Sequence, residues 1–204
     1  MRPTKRRLSL LLAALLCVLL LSACGVPISG SDEEKNAAQM LQEEYQMLTS
    51  CEMEGVLHCE LNDETAEYTL HCSWSQDGTS TVEILQPEML AGIRAELDGN
   101  GVRLSYEDVS LSAGVPDAET IAPVQVLPLV MNAIREGYLL EQGVDAVDGT
   151  DCLRLLFDTT GASGGKVDYA VWFGAGHAPV RAEVLIGETV PYTVSFTAFS
   201  AGNE

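Results

Sequence analysis

Ala37, Leu41, Tyr45 and Leu48 recur at helical spacing, and from residue 57 onward the apolar period drops to two. The first pattern, opened by the capping-box pair Ser31 and Glu34, predicts one amphipathic helix to about Ser50 with an acidic outer face. The second predicts strands. Leu57, Cys59 and Leu61 alternate with His58 and Glu60, and Tyr68, Leu70, Cys72 and Trp74 alternate with Thr69, His71 and Ser73. A hairpin with Leu57 opposite Trp74 keeps every apolar side chain on one face and sets Cys59 opposite Cys72.

Val82 and Ile84 lead to Pro87, and Ile93, Ala95 and Leu97 reach the hairpin turn Asp98-Gly99-Asn100-Gly101, from which Val102, Leu104 and Tyr106 return. Val109 and Leu111 form a short further strand. Residues 117–136 break the alternation with Pro123, Pro128 and the helical spacing of Leu129, Val130, Ala133 and Ile134, closed by Gly137. Alternation then resumes at Leu153, Tyr169, Val180 and Tyr192. The expected class is α+β, mainly β: a curved antiparallel half-barrel of about ten strands, with an N-terminal helix and a helical insertion covering its concave face. The residues alternating onto that face, Leu70, Trp74, Ile93, Leu104, Tyr106, Tyr169, Phe173, Val184 and Tyr192, line either a ligand cavity or a dry core.

The first residues obey neither period. Arg2, Lys5, Arg6 and Arg7 precede an apolar run from Leu8 to Leu21, followed by Ser22, Ala23 and Cys24. A basic segment, an apolar run short for a membrane span, and small residues before a cysteine form a bacterial lipoprotein signal. The expected division is a signal peptide at 1–23, a lipidated tether at 24–31 whose Cys24 thiol carries a diacylglycerol, and a single domain at 32–204. The seven-residue linker spans at most ~25 Å, which holds the domain near the extracytoplasmic membrane face. The mature chain keeps 7 basic against 30 acidic residues, a formal charge of −23. Such a charge is repelled by nucleic acid and anionic lipid, so the membrane partnership rests on acyl chains and nucleic acid is excluded as a partner.

Cys51, Cys59, Cys72 and Cys152 remain besides the anchor and allow three disulfide connectivities. The shared strand parity of Cys59 and Cys72 makes them the first candidates, leaving Cys51 with Cys152. Gly161-Ala162-Ser163-Gly164-Gly165, with Asp168 and His177 after it, matches a hydrolase elbow in letters. The elbow needs a strand before and a helix after, whereas here a strand follows, so a Gly-rich hairpin loop is expected and no catalytic residue. His58, Glu60 and His71 share an outer strand face without a fourth ligand and are read as solvated, with no metal or cofactor expected.

Helix, strands, helical insertion and further strands behind a lipobox together resemble the LolA/LolB-like superfamily of lipoprotein carriers. The local likeness rests on Ile84-Leu85-Gln86-Pro87-Glu88-Met89-Leu90-Ala91-Gly92-Ile93 and on Asp98-Gly99-Asn100-Gly101-Val102-Arg103-Leu104-Ser105-Tyr106. Glu88, Met89 and Ala91 stand where such carriers place basic and aromatic residues, and Arg94 is the nearest candidate for a cavity-closing arginine. The resemblance implies a non-catalytic half-barrel that takes the acyl chains of a lipid or lipoprotein. Germination lipoproteins of spore-forming bacteria, which the chain also resembles, imply instead a module that binds a cell-envelope protein such as a cell-wall amidase.

Overall fold

Alternation over more than a hundred residues produces one sheet. The computed structural model describes residues 32–61, 64–114, 121–159 and 167–202. Cys24 with the rest of the signal and tether, Ser31 of the capping box, and residues 161–165 lie outside these. The described chain runs α1 (Asp32–Gln46), β1 (Ser50–Leu61), β2 (Glu64–Ser75), β3 (Ser80–Gln86), β4 (Arg94–Asp98), β5 (Gly101–Tyr106), β6 (Val109–Gly114), α2 (Val126–Glu136), β7 (Tyr138–Val147), β8 (Thr150–Asp158), β9 (Val167–Phe173), β10 (Pro179–Ile186) and β11 (Thr189–Gly202). All eleven strands form one antiparallel sheet in the order β6-β5-β4-β3-β2-β1-β11-β10-β9-β8-β7, open at β6 and β7.

The expected ten strands become eleven because β7 shows no clean alternation. Its sequence Tyr-Leu-Leu-Glu-Gln-Gly-Val-Asp-Ala-Val carries a bulge between Leu139 and Glu141, which resets the parity midway. The first helix ends at Gln46, short of Ser50, where β1 has already begun. Its buried stripe is Ala38, Leu41 and Tyr45, with Ala37 exposed.

The first hairpin corrects the expected register. Leu61 pairs with Glu64, so Leu57 faces Tyr68, Cys59 faces Ala66, and Cys72 faces Met53. The connection is two residues long, and pairing therefore begins six positions away from the expected register. Six is even, so every side chain keeps its face: hydrophobic parity excludes odd slips and leaves even ones open. Cys59 and Cys72 are thereby held six rungs apart, roughly 20 Å along the strand, too far for a disulfide. Cys51 lies in the main core and Cys152 in a separate cluster with Leu156, Ala170 and Trp172 on the opposite face, which removes the second pairing. All four thiols are free and buried.

The two helices lie on the concave face and satisfy each other's ends. The last carbonyls of a helix have no partner within it. Gln42 Nε2 of α1 donates to the carbonyls of Ile134 (3.2 Å) and Gly137 (2.9 Å), and Gln46 Nε2 donates to that of Arg135 (3.0 Å). In return Arg135 Nε of α2 donates to the Tyr45 carbonyl (3.2 Å), placing a cation at the negative end of α1. The pair is fastened to the sheet by Trp74 Nε1 donating to Asn132 Oδ1 (3.0 Å), with the Arg135 guanidinium 4.7 Å above the Trp74 ring. Tyr45 Oη donates to the carbonyl of His177 (2.7 Å) in the β9–β10 turn, and the His177 ring meets Glu44 at 2.6 Å.

Candidate functional site

The nine side chains expected on the concave face divide into two groups. Leu70, Trp74, Tyr169, Phe173, Val184 and Tyr192 are buried, each at most 3% exposed, in the core that includes α1 and α2. Burial raises the phenol pKa of both Tyr169 and Tyr192, and Tyr192 Oη donates to the carbonyl of Ile121. These six form a buried floor in the core shared with the helices.

Ile93, Leu104 and Tyr106 behave differently. Ile93 and Leu104 are half-buried, and Tyr106 is 51% exposed. The sheet register explains the division. Met53, Cys72, Val82, Ala95, Leu104 and Leu111 stand directly opposite one another in turn across β1 to β6. Directly opposed residues share a face, so this is a single apolar row. Its first four members are buried at 0–1% exposure, Leu104 is half-buried, and Leu111 is 65% exposed. The row begins in the core and ends in solvent.

Beside it, Tyr106 pairs with Val109, which is 70% exposed, and the Tyr106 ring lies over Gly92, whose φ of +86° suits glycine. Met89, also exposed, sits in the short 3-10 turn before Gly92. The result is an apolar wing on the concave side of β4, β5 and β6 that the helices do not cover. Exposed apolar residues clustered in this way mark interaction surfaces more often than singly scattered ones do. Periodicity had assigned Ile93, Leu104 and Tyr106 to this face, but Val109 and Leu111 carried no sequence signal beyond a short strand, because what sets them apart is their position at the sheet's edge.

The other candidates fall elsewhere. Arg94 points to the convex face, where its guanidinium meets Glu83 at 3.0 Å, and it closes no cavity; Arg103 does the same with Glu96 at 3.3 Å. His58 meets Glu60 at 3.3 Å and His71 meets Glu52 at 3.2 Å, as two separate exposed pairs. Cys51 and Cys59 are poor nucleophiles, since burial pushes Cys51 up to about 12 and Cys59 up to about 11. A cluster without a sequence signal occupies the convex face: Trp172 lies between the guanidiniums of Arg154 (5.3 Å) and Arg181 (5.6 Å) and donates Nε1 to Asp145 Oδ2 at 3.0 Å.

No family model matches the sequence, and no curated protein does. The fold is similar to several solved structures. A LolA superfamily protein from Nitrosomonas europaea shares 11% identity over 82% of this chain and 94% of its own, with a TM-score of 0.47. A DUF1329 family protein from Desulfovibrio piger shares 12% over 84% and 94%, with a TM-score of 0.48. LprF from Mycobacterium bovis shares 13% over 85% and 96%, with a TM-score of 0.45. These are likenesses of architecture alone.

Proposed function

We propose that the chain is a lipid-anchored, extracytoplasmic and non-catalytic binding protein that holds an apolar part of a cell-envelope protein on the wing formed by Ile93, Leu104, Tyr106, Val109 and Leu111. The observation that carries this is the apolar row from Met53 to Leu111, which leaves the core and reaches solvent only at its β6 end. A protein segment suits a shallow surface open at one edge. An acyl chain stored beneath the helices would have to displace side chains already packed against α1 and α2. A second reading keeps acyl chains on the wing itself, because the wing is continuous with the apolar floor. The domain limits at residues 24 and 32 and the attachment through Cys24 belong to the same proposal, as do the protonated thiols that argue against nucleophilic chemistry.

The test places a photo-crosslinking benzoylphenylalanine at Tyr106 or, as a control on the convex face of β11, at Ser195. Polypeptide adducts formed in living cells from position 106 and absent from position 195, with native mass spectrometry showing no lipid beyond the anchor, support partner binding. Non-covalent lipid that disappears in Tyr106→Glu transfers the wing to acyl chains. Neither adduct nor lipid removes the wing as a binding site.

A further inference from the structure

The two open edges of the sheet are built differently. Edge strands expose unpaired N–H and C=O groups, and proteins blunt them with charges, bulges or covering elements. β7 carries charges within the strand, Glu141 and Asp145, and a bulge after Leu139 near its start. β6 bulges once as well, between Ser112 and Gly114, but residues 109–112, Val-Ser-Leu-Ser, pair with β5 in unbroken register, contain no charge and no proline, and are covered by no helix or strand among the described residues. An unguarded edge with exposed apolar side chains at alternate positions is the geometry by which an extended peptide joins a sheet.

Charge selects the occupant. Glu107 and Asp108 precede β6, Glu88 flanks Met89, and all three are exposed. The arginines of β4 and β5 are engaged by Glu83 and Glu96 on the other face. A second copy of this chain would bring the same carboxylates and another formal charge of −19 for the whole sequence. A basic segment meets no such repulsion.

Resting on the reading of the wing as a binding surface, we infer that residues 109–112 accept an extended, basic segment of a partner protein as a twelfth strand. Alternate apolar side chains of that segment lie on Tyr106, Val109 and Leu111, and its flanking cations meet Glu88, Glu107 and Asp108. The Glu107 backbone, at φ +51°, turns the chain sharply before β6, so the acidic pair stands at the end of the accepting strand.

The probe is a fluorescein-labelled peptide, Lys-Lys-Val-Thr-Val-Thr-Lys-Lys, titrated by anisotropy against the full chain in phosphatidylcholine nanodiscs. Saturable micromolar binding is expected. It should weaken about tenfold in Leu111→Lys, weaken as salt rises from ~50 to ~500 mM, and vanish when every Lys of the peptide is Glu. Leu111 is exposed, so its variant should keep the wild-type melting curve. A peptide N-methylated at alternate amides tests strand addition on the unaltered protein and should not bind. Equal binding of the methylated or acidic peptide, or indifference to Leu111→Lys, overturns the inference. So does a dimer seen by sedimentation that Leu111→Lys dissolves, since the occupant is then a second copy. If position 106 crosslinks protein as strongly in the Leu111→Lys background as without it, strand addition fails while the wing stands; if position 106 gives no adduct in the otherwise wild-type chain, both fail.

Discussion

Trp74 shows how much a single side chain can report about this protein. Its ring lies under the Arg135 guanidinium, its indole N–H is held by Asn132, and its body is in the core. Trp74→Ala should therefore cost about 3–5 kcal/mol in urea unfolding, and Asn132→Ala, which orphans the indole N–H, about 1–3 kcal/mol. Costs below ~1 kcal/mol for both would mean that the concave face is open under the helices. The thiols supply a pH test with a definite sign. Burial holds Cys59 at about 11 and Cys51 at about 12 against an ordinary 9.0, so the folded state retains protons that the unfolded chain releases. Their contribution to stability is complete below pH ~9 and is lost as pH climbs through ~11 to ~12. Urea midpoints should fall across that window, and Cys51→Ala should flatten the fall. Iodoacetamide at pH ~8 should leave the native thiols unmodified and label them all after unfolding.

At the scale of elements, the two helices behave as one part because each caps the other. Replacing Gln42 and Gln46 together by Ala removes three side-chain bonds to the end of α2 and should cost about 2–4 kcal/mol. In native-state hydrogen exchange, α1 and α2 amides should open with one free energy in the wild type and with two in this double variant. Gly137 joins α2 to β7 where a Cβ would strike the Ala133 carbonyl and Phe157. Gly137→Ala should destabilise by about 1–3 kcal/mol, read as a lowered melting temperature, while Gly149→Ala in the open β7–β8 turn meets no atom and is strained only by its φ of +77°.

For the molecule as a whole, the proposed attachment and the proposed binding are separable by mutation. Cys24→Ala should leave an uncleaved precursor that incorporates no labelled palmitate, whereas Leu111→Lys should incorporate label normally. Labelling of the Cys24→Ala chain would place the anchor elsewhere. Under the proposed attachment through Cys24, a tether of seven residues requires a partner that reaches the wing to lie near the membrane surface.

What the sequence determined by itself was parity and punctuation. The period of two assigned Leu70, Trp74, Tyr169, Phe173, Val184 and Tyr192 to one face, and the Asp98-Gly99-Asn100-Gly101 turn set the β4–β5 register correctly, with Asp98 paired to Gly101 and its carboxylate accepting the Asn100 N–H at 2.7 Å. The first helix and the helical insertion were legible for the same reason, since burial of Leu41, Tyr45, Val130 and Ile134 follows the helical repeat. Only the tertiary structure decided the rest. Parity is unchanged by an even slip, so the first hairpin's register, and with it the separation of Cys59 from Cys72, came from the two-residue connection. The cover is decided by the two helices, which seal six of the nine concave residues and stop short of β6. Leu111 and Leu104 belong to the same apolar row as Val82 and Ala95, and their sequence pattern is the same. Whether such a residue is core or surface depends on what is packed above it, and no residue records that alone.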